Sequence, residues 1–481
     1  MKNKSVLAYF LILFFTVLIF KLPRFIENNF GDVSLEQLFY HVFSEHEGMP
    51  KAFVFNMLNK LIFLPFLFSS IIIFALWFIH RFLPTNYFKV SKIALIIAII
   101  YTQIFGFVAI YYVLNVDYYL QANLYNKKIV QVDWMKQHYQ EPSAHLKKIK
   151  STKNLIIIYV ESLENSRVKS NSVLREDLNA FSVDHFSIQP GTQWTLAGIV
   201  SSQCGVPLLL PVGVIANLGN METQNPLKNS ICLGDLLKRD GYYTEFIGGA
   251  DPNFSGKLGF LKSHGFNQII GKLNLDTLYP LSHYPSDWWG HSDETVLKHA
   301  KERVMKLSDA GQPYFLSVLT LDTHAQSGYL SEYCKKLGFA NNIDQIFECN
   351  VQQIEDFYKW LNQNKHLENT VLVVMGDHPF MSKDYRGKLG GSKYRDLSEK
   401  DIFFGMKVPD EKNGSIAIKS MTHFDIYPTV LSSLGYQMEN DSAGIGKNMF
   451  SKRFQDMSTI HNDLPNQLRR SSQDYLKLWR D

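Results

Sequence analysis

Three long apolar segments near the N-terminus constrain what this chain can fold into more than any other feature. Residues 5–20, 61–79 and 93–116 contain no charged side chain. A helix needs about 20 apolar residues to cross a bilayer, which the second and third segments provide and the first nearly provides. A cleaved signal peptide is the alternative for the first segment, but Lys21-Leu22-Pro23-Arg24 follows it instead of a small-residue cleavage site. The sequence therefore predicts a membrane anchor, residues 1–117, with three transmembrane helices.

Basic residues predict how this anchor is oriented. The short loop 80–92 carries three Lys or Arg residues and no acidic one, the N-terminus carries Lys2 and Lys4, and residues 21–60 mix both signs. Because cytoplasmic loops are enriched in positive charge, the N-terminus and the 80–92 loop are expected in the cytoplasm. Three crossings then leave everything after residue 117 in the periplasm or an equivalent extracytoplasmic space. The net charge of +4 gives no support for nucleic acid as a partner.

All four cysteines follow the predicted anchor: Cys204, Cys232, Cys334 and Cys349. An even number of cysteines in an oxidising compartment indicates disulfide bonds, and four cysteines allow three connectivities. The short loop that it closes favours Cys334–Cys349, which leaves Cys204–Cys232 as the second pair. Four buried free thiols are the alternative.

The part outside the membrane reads as an α/β domain. Residues 118–151 are polar and Lys-rich and indicate a membrane-proximal linker, partly helical. Residues 154–160 (NLIIIYV) are apolar without alternation, which is typical of a strand buried on both faces. Further strand candidates alternate with helical patterns: strands at 243–249, 314–321 and 370–377, helices at 293–308 and 344–364. This alternation predicts a mostly parallel central sheet flanked by helices within residues 152–450, followed by a polar basic tail at 451–481.

Polar side chains follow the predicted strands at the edge where sites form in open α/β sheets. They are Glu161 after the first strand, Asp322 and His324 after the third, Asp377 and His378 after the fourth, and Thr195 at the start of a helix. Oxygen and nitrogen ligands of this kind suit Mn²⁺, Zn²⁺ or Mg²⁺. Each residue also has a structural alternative as a helix cap, a hydrogen-bonded loop residue or a polar strand end. Thr195 can combine the roles of helix cap and nucleophile.

Several of these stretches resemble the lipoteichoic acid synthase branch of the alkaline phosphatase/sulfatase superfamily. The stretches are VESLENS (160–166), the Thr195 loop, LTLDTH (319–324), VVMGDH (373–378) and the helix THFDIYPTVLSSLG (422–435). Three more resemble the phosphoglycerol transferases of that branch, membrane enzymes that decorate periplasmic glucans: TLAGIVSSQCGVPL (195–208), ICLGDLLK (231–238) and FLKSHGF (260–266). The resemblance extends over roughly residues 152–450.

The resemblance implies roles for individual residues. Glu161, Asp377 and His378 would bind a divalent metal ion together with Thr195, with manganese preferred and zinc or magnesium as alternatives. Thr195 would be the nucleophile, and His324 would assist the leaving or attacking oxygen at the phosphate. Lys257 stands where the synthases have an arginine that faces the phosphate, and a lysine offers a point charge instead of a two-pronged contact. Ser255 stands where they have a tryptophan.

The function expected from this resemblance is metal-dependent transfer of phosphoglycerol. The donor would be phosphatidylglycerol, the acceptor a periplasmic glucan or similar glycan, and the intermediate a phospho-threonine. A phosphoethanolamine transferase acting on lipid A or another glycan is the first alternative, and a non-catalytic membrane sensor or binding module is the second. Sulfate-ester hydrolysis is disfavoured because Cys204-Gly-Val-Pro-Leu lacks the spacing and the arginine of a sulfatase C/S-x-P-x-R stretch. Asp287 and Trp288 either line the acceptor side or form a packed aromatic turn.

Overall fold

The computed structural model describes most of the chain. The described residues are 3–31, 33–44, 47–82, 84–114, 116, 133–142, 146–148, 153–210, 225–280, 282, 284–285, 287–324, 327–381, 401–409, 415–455, 463–470 and 472–479. The chain divides into two compact units. One holds the long apolar helices and the other holds the sheet.

The first five helices lie within residues 3–113. They are α1 Asn3–Phe30, α2 Leu35–Phe43, α3 Lys51–Leu58, α4 Leu64–Phe82 and α5 Thr85–Val113, with a π-helical turn at Asn59–Phe63 between α3 and α4. Three spans are long and apolar enough to cross a membrane: Val6–Phe30, Lys51–Phe82 and Lys89–Val113. They overlap the three segments predicted from the sequence, 5–20, 61–79 and 93–116. The first extends beyond residue 20 because α1 continues through Pro23, whose ring removes a backbone hydrogen bond without ending the helix.

The second unit contains residues 36–43 of α2, the remaining helices and all the strands described. The strands are β1 Lys147–Lys148, β2 Asn154–Val160, β3 Phe181–Val183, β4 Tyr243–Gly248, β5 Gln268–Ile270, β6 Tyr314–Leu319, β7 Thr370–Gly376, β8 Phe404–Lys407, β9 Ile416–Ile418, β10 Tyr436–Gln437, β11 Ser442–Ala443 and β12 Gly446–Lys447. The helices are α6 Trp134–His138, α7 Val173–Asp177, α8 Thr195–Cys204, α9 Leu233–Arg239, α10 Lys257–Ser263, α11 Lys272–Leu278, α12 Asp293–Asp309, α13 Glu332–Lys336, α14 Ile343–Gln363, α15 His423–Ser433, α16 Leu464–Arg469 and α17 Gln473–Trp479.

A six-stranded sheet in the order β5-β4-β6-β2-β7-β8 forms the centre of this unit. β8 is antiparallel to β7, and the other neighbours are parallel, which confirms the predicted mostly parallel sheet. β2 lies in the middle, and its residues 155–160 are buried, as its continuous apolar sequence requires. Val160 of β2 pairs with Gly376 of β7, so Glu161 and Asp377, the next residues, leave the sheet at the same edge.

The segment that the sequence analysis treats as a polar tail, residues 451–481, is part of the packed unit where it is described. Helices α16 and α17 place Leu464, Tyr475 and Trp479 in the hydrophobic core. The Tyr475 hydroxyl donates a hydrogen bond to the Pro207 carbonyl, 2.6 Å away, and accepts one from the Leu209 amide. The apolar residues of this segment are separated by charged ones, which hides their helical spacing from an inspection of composition alone.

Much of the predicted linker, including residues 117–132, lies outside the described residues. Its described part is attached to the sheet unit. Helix α6 places Trp134 and Met135 in the core, and β1 pairs antiparallel with β10.

Two disulfide bonds link elements of the second unit. Cys204, the last residue of α8, is bonded to Cys232, the residue that caps α9. Cys334 in α13 is bonded to Cys349 in α14. These are the two pairs that the sequence favours, and no free cysteine remains.

Candidate active site

Three side chains predicted as metal ligands meet at the edge of the sheet. Glu161, Asp377 and His378 each offer a ligand atom, and these atoms all lie within 4.8 Å of one another. All three residues are at most 2% exposed. Such a cluster of two carboxylates and an imidazole is costly to bury unless a cation compensates it.

The turn after β2 fixes the two carboxylates. Ser162 adopts a left-handed backbone conformation with φ of 55°, which is disfavoured for a residue that carries a Cβ. In this conformation its amide donates to Asp377 Oδ1 at 2.8 Å and its hydroxyl donates to Glu161 Oε1 at 2.7 Å. The backbone of Glu161 is held by the hydroxyls of Thr320 and Thr323. The strained turn therefore orients both carboxylates toward the same point.

The ring of His378 is oriented by its other nitrogen. Nδ1 lies 2.9 Å from the Pro379 carbonyl, an acceptor, so Nδ1 carries the proton. Nε2 faces the cluster, 3.4 Å from Glu161 Oε1 and 3.5 Å from Asp377 Oδ2, and would offer its lone pair to a cation when the ring is neutral. A backbone carbonyl that fixes the tautomer in this way is the usual support of a metal-binding histidine.

The charged groups of the cluster strongly shift one another's pKa values. Burial opposes ionisation of Glu161, but His324 and His378 outweigh burial and hold the pKa of Glu161 at about 2. Burial and the neighbouring Glu161 carboxylate raise the pKa of Asp377 to about 7. Burial alone would lower the pKa of His378, yet Asp377 and Glu161 raise it to about 9. Without a metal ion, the carboxylates therefore keep a proton on the imidazole.

A divalent cation fits this set of residues. Asp377 Oδ2 is buried and has no hydrogen-bond partner among the described residues, although it faces the other two ligands. Two carboxylates and a neutral imidazole are a donor set that manganese, zinc and magnesium all accept. The other group with metal-ligand spacing, Cys232, Asp235 and His264, is not equivalent, because the Cys232 sulfur is engaged in a disulfide bond.

Thr195 lies beside this cluster at the start of α8. Its Oγ1 is 3.4 Å from His378 Nε2, and it is half-buried while the rest of α8 is buried. The structure assigns the helix cap to Trp194, with extended φ and ψ, and makes Thr195 the first helical residue. The expectation that Thr195 also caps the helix is therefore wrong, and its hydroxyl is left to the site. The free amides of the first helical turn attract anions to the same place.

Lys257 and His324 complete the surroundings. Lys257 begins α10 and is 7% exposed; burial lowers its pKa, while attraction to Glu161, Asp377 and Asp251 opposes that shift. A buried ammonium group near these carboxylates is suited to an anionic substrate. His324 follows β6, is half-buried and packs against the Trp289 ring with centroids 4.8 Å apart.

Two residues at the site were missed by the sequence analysis. His423, the first residue of α15, is fully buried, and its Nε2 donates to the Asp377 carbonyl at 3.0 Å. Burial lowers the pKa of His423 to about 3, so it acts as a neutral donor that fixes Asp377. Its position as the second residue of the family-like stretch THFDIYPTVLSSLG was the available signal. Trp289, which packs against His324, is the second missed residue. Its neighbour Trp288 instead stacks on Tyr329, which is the packed aromatic turn given above as the alternative.

Asp322 does not join the cluster, although it follows a strand like the ligands do. It is buried beside Asp293, which accepts hydrogen bonds from the Leu321 and Asp322 amides and from Asn350. Asp287 is exposed. Of the polar residues expected at this edge of the sheet, some therefore face the site, whereas Asp322 is buried beside Asp293.

Known proteins resemble this chain in sequence. Phosphoglycerol transferase I of Escherichia coli strain SMS-3-5 is 34% identical over 358 residues, which cover 71% of this chain and 44% of that protein. The protein of the same name from strain K12 gives the same values. The chain therefore spans less than half the length of these curated relatives.

Solved structures resemble it more distantly. A protein in the alkaline phosphatase superfamily from Vibrio parahaemolyticus has 21% identity and a TM-score of 0.49, over 66% of this chain and 76% of that one. The lipoteichoic acid synthase LtaP from Listeria monocytogenes has 18% identity and a TM-score of 0.48, over 62% of this chain and 76% of that one.

The family model described as Sulfatase matches residues 153–436. The match includes the parallel sheet and every residue of the metal-ligand cluster. The chain therefore belongs to the sulfatase family.

Proposed function

We propose that this protein transfers phosphoglycerol from phosphatidylglycerol to a glycan acceptor such as a periplasmic glucan, through a phospho-threonine intermediate on Thr195. The observation that carries the proposal is the Thr195 hydroxyl, 3.4 Å from Nε2 of His378, which itself lies 3.4 Å and 3.5 Å from the buried carboxylates of Glu161 and Asp377. The relatives named phosphoglycerol transferase I support the choice of transferred group. Sulfate-ester hydrolysis has no support, since Cys204 is bonded to Cys232 and cannot serve as a nucleophile.

The residues of the site have distinct tasks in this proposal. A divalent cation held by Glu161, Asp377 and His378, manganese by preference, would favour the ionised form of the Thr195 hydroxyl and offset the charge of the phosphate. The amides at the start of α8 bind a phosphate oxygen and stabilise the charge that develops there. Lys257, the first residue of α10, contributes its positive charge.

The reaction then proceeds in two balanced steps. In the first, Thr195 Oγ forms a bond to phosphorus, and the bond from phosphorus to the diacylglycerol oxygen breaks. His324 donates a proton to that oxygen, and the hydroxyl proton of Thr195 is released to solvent. In the second step, His324 takes the proton of an acceptor hydroxyl, which attacks phosphorus and displaces Thr195, and Thr195 regains a proton from solvent. Both the intermediate and the product remain phosphodiesters.

The proposal also assigns a location. The three apolar spans would anchor the protein in the cytoplasmic membrane as a multi-pass protein, with residues 152–450 as a periplasmic catalytic domain. Two disulfide bonds are typical of proteins in an oxidising compartment. A membrane anchor suits an enzyme whose donor is itself a membrane lipid.

The test is to trap the intermediate. Purified protein is incubated with Mn²⁺ and phosphatidylglycerol labelled in its headgroup, without acceptor, and the peptide that contains Thr195 is weighed by mass spectrometry. A phosphoglycerol adduct on Thr195, with release of diacylglycerol, is expected. Thr195→Ala is the matched control and should give neither.

A parallel incubation with phosphatidylethanolamine distinguishes the donors. A phosphoethanolamine adduct in that arm alone would replace the proposed headgroup while keeping the nucleophile. If neither lipid gives an adduct or releases diacylglycerol, the transferase proposal is refuted.

A further inference from the structure

Residues 36–48, here called the interhelical segment, follow the first apolar span in sequence but belong to the same compact unit as the sheet. Tyr40 in this segment is fully buried in the hydrophobic core of that unit. Glu36 forms an ion pair with Arg469 of α16 at 2.6 Å, and both side chains are less than 10% exposed. The segment is therefore fixed to the unit that carries the candidate active site.

Two neighbouring residues of the segment hold the turn that leads into Lys257. The Tyr40 hydroxyl donates to the Ser255 carbonyl at 3.2 Å. His41 Nδ1 shares a hydrogen bond of 3.2 Å with the Ser255 hydroxyl. Ser255 itself has a left-handed φ of 63°, and Gly256 follows with φ of 73° before α10 begins at Lys257. A residue with a Cβ keeps this conformation only when its surroundings impose it, and these two hydrogen bonds do so.

The same two residues contact the chain directly before the nucleophile. The Tyr40 ring lies 5.6 Å from the Trp194 ring, and the His41 ring lies 6.0 Å from it, measured between centroids. Trp194 is the cap of α8, so its position fixes the start of the helix and with it the position of Thr195. Tyr40 and His41 thus touch both the residue before Thr195 and the turn before Lys257.

The end of the segment approaches the third carboxylate near Lys257. A Cβ added to Gly48 would lie 2.7 Å from Asp251 Cβ, and the φ of Gly48 is +88°. Asp251 is one of the groups whose charge acts on Lys257. Tyr40, His41 and Gly48 therefore all contact residues on the side of the site that Lys257 occupies.

From these contacts we infer that Tyr40 and His41 are positioning residues for phosphate binding: they hold the Ser255–Lys257 turn so that the Lys257 ammonium group faces a phosphate at Thr195. The inference rests on the proposed function in one respect, that the anion at Thr195 is a phosphate. Segments of the predicted anchor are then part of the catalytic machinery, although the matched family region begins only at residue 153.

The test is a double-mutant cycle with inorganic phosphate as the probe. Isothermal titration calorimetry measures phosphate binding to the full-length, Mn²⁺-loaded protein as wild type, His41→Ala, Lys257→Ala and the double variant. Loss of one supporting hydrogen bond should weaken binding about three- to tenfold in His41→Ala. In the Lys257→Ala background the same substitution should have almost no effect, because His41 acts through Lys257.

Three further variants separate positioning from general stability. Tyr40→Phe keeps the packed ring, removes only the hydroxyl, and should weaken phosphate binding in the same Lys257-dependent way. His41→Asn retains a hydrogen-bonding group near the position of Nδ1 and should restore much of the affinity. Val42→Ala changes an exposed neighbour in α2, 53% exposed, and should leave phosphate binding and thermal unfolding unchanged.

Two results would overturn the inference. One is a wild-type protein that does not bind phosphate, and the other is an equal loss from His41→Ala with and without Lys257. Coupled phosphate binding in a protein that does not turn over phosphatidylglycerol would refute the proposed donor and still support the positioning role.

Discussion

The Thr195 hydroxyl is not needed to hold α8 in place, because Trp194 caps the helix and the nine residues after Thr195 are buried. Thr195→Ala removes the hydroxyl oxygen and the γ-methyl group of a half-buried side chain and leaves the buried residues of α8 unchanged. We expect transfer activity to fall on the order of 10³-fold or more, with an unchanged melting temperature. Release of labelled diacylglycerol measures the loss, and Thr195→Ser, which keeps a hydroxyl, should retain part of the activity. Near-normal turnover by Thr195→Ala would show that another group attacks phosphorus.

The metal-ligand cluster predicts a response to chelation that does not depend on activity. A cation that binds only the folded protein raises the free energy of unfolding, so its removal should lower the melting temperature. We expect EDTA to lower the melting temperature of the wild type, and added Mn²⁺ to restore it. Asp377→Asn, which removes the unpartnered carboxylate oxygen, should respond to neither treatment. A wild type that is indifferent to EDTA, with its metal content shown to be zero, would contradict the metal site.

Asp322 and Asp293 form a buried acid pair behind His324. Burial and the Asp293 carboxylate raise the pKa of Asp322 well above its ordinary value, and burial raises the pKa of Asp293 to about 6. A raised acid pKa means that the folded protein holds protons that the unfolded chain releases above about pH 4. The free energy of unfolding therefore decreases as pH rises through the folded values.

Asp322→Asn should remove part of this dependence. The variant should be more stable than the wild type at pH 8, and the difference should shrink toward pH 4. Thermal unfolding measured from pH 4 to pH 8 tests this. A difference that is the same at every pH would mean that the substitution acts through packing alone.

At the scale of elements, α8 and the start of the loop after β7 touch through a glycine. A Cβ added to Gly198 would lie 2.0 Å from the Asp377 carbonyl oxygen, which is backbone and cannot rotate away. Gly198→Ala should push α8 away from Asp377 and widen the gap between Thr195 and His378. We expect a loss of activity of at least about 100-fold, since misplacement of a reacting group by about 1 Å has that effect.

Melting temperature and phosphate binding of Gly198→Ala distinguish a displaced helix from a misfolded protein. Ser263→Ala in α10 is a suitable control and should be active, because the Ser263 hydroxyl donates to the Gly259 and Phe260 carbonyls of its own helix. Normal activity in Gly198→Ala would show that the close approach of α8 to Asp377 is not needed.

Helices and strands were predictable where a short stretch of sequence shows an amphipathic repeat or an uninterrupted apolar run. NLIIIYV and TVLVVMG are apolar throughout, so both gave central strands, and the polar residues after them gave Glu161, Asp377 and His378. Helices α12 and α14 also agree with the sequence prediction to within about one residue. Their amphipathic pattern needs no distant partner to be recognised.

What could not be predicted depends on contacts between distant residues. Tyr40 bonds to Ser255 across 215 residues, and no local pattern indicates that this part of the loop packs in the sheet unit. Asp322 resembles a ligand in sequence, but its neighbour Asp293 comes from another element, α12. Trp288 and Trp289 are adjacent and identical in sequence, so only the fold decides which one meets His324.

At the scale of the whole molecule, the charge pattern predicts a topology that labelling can test. The chain has no free cysteine, so a single introduced thiol reports its own location. In intact cells of the expression host, a membrane-impermeant maleimide should label Glu47→Cys. Thr85→Cys should react only after the membrane is permeabilised, because the loop between the second and third spans is expected in the cytoplasm. The reverse pattern would invert the predicted orientation.

The ion pair between Glu36 and Arg469 has a consequence for how the protein is made. Its two partners are 433 residues apart, and at about 5–20 residues per second a ribosome needs roughly 20 to 90 s to synthesise that length. During this time the interhelical segment has been synthesised but lacks α16, which supplies the partner of Glu36. The interhelical segment therefore cannot complete its packing until α16 has been translated. A nascent chain stalled before Arg469 would carry Glu36 without its buried ion-pair partner.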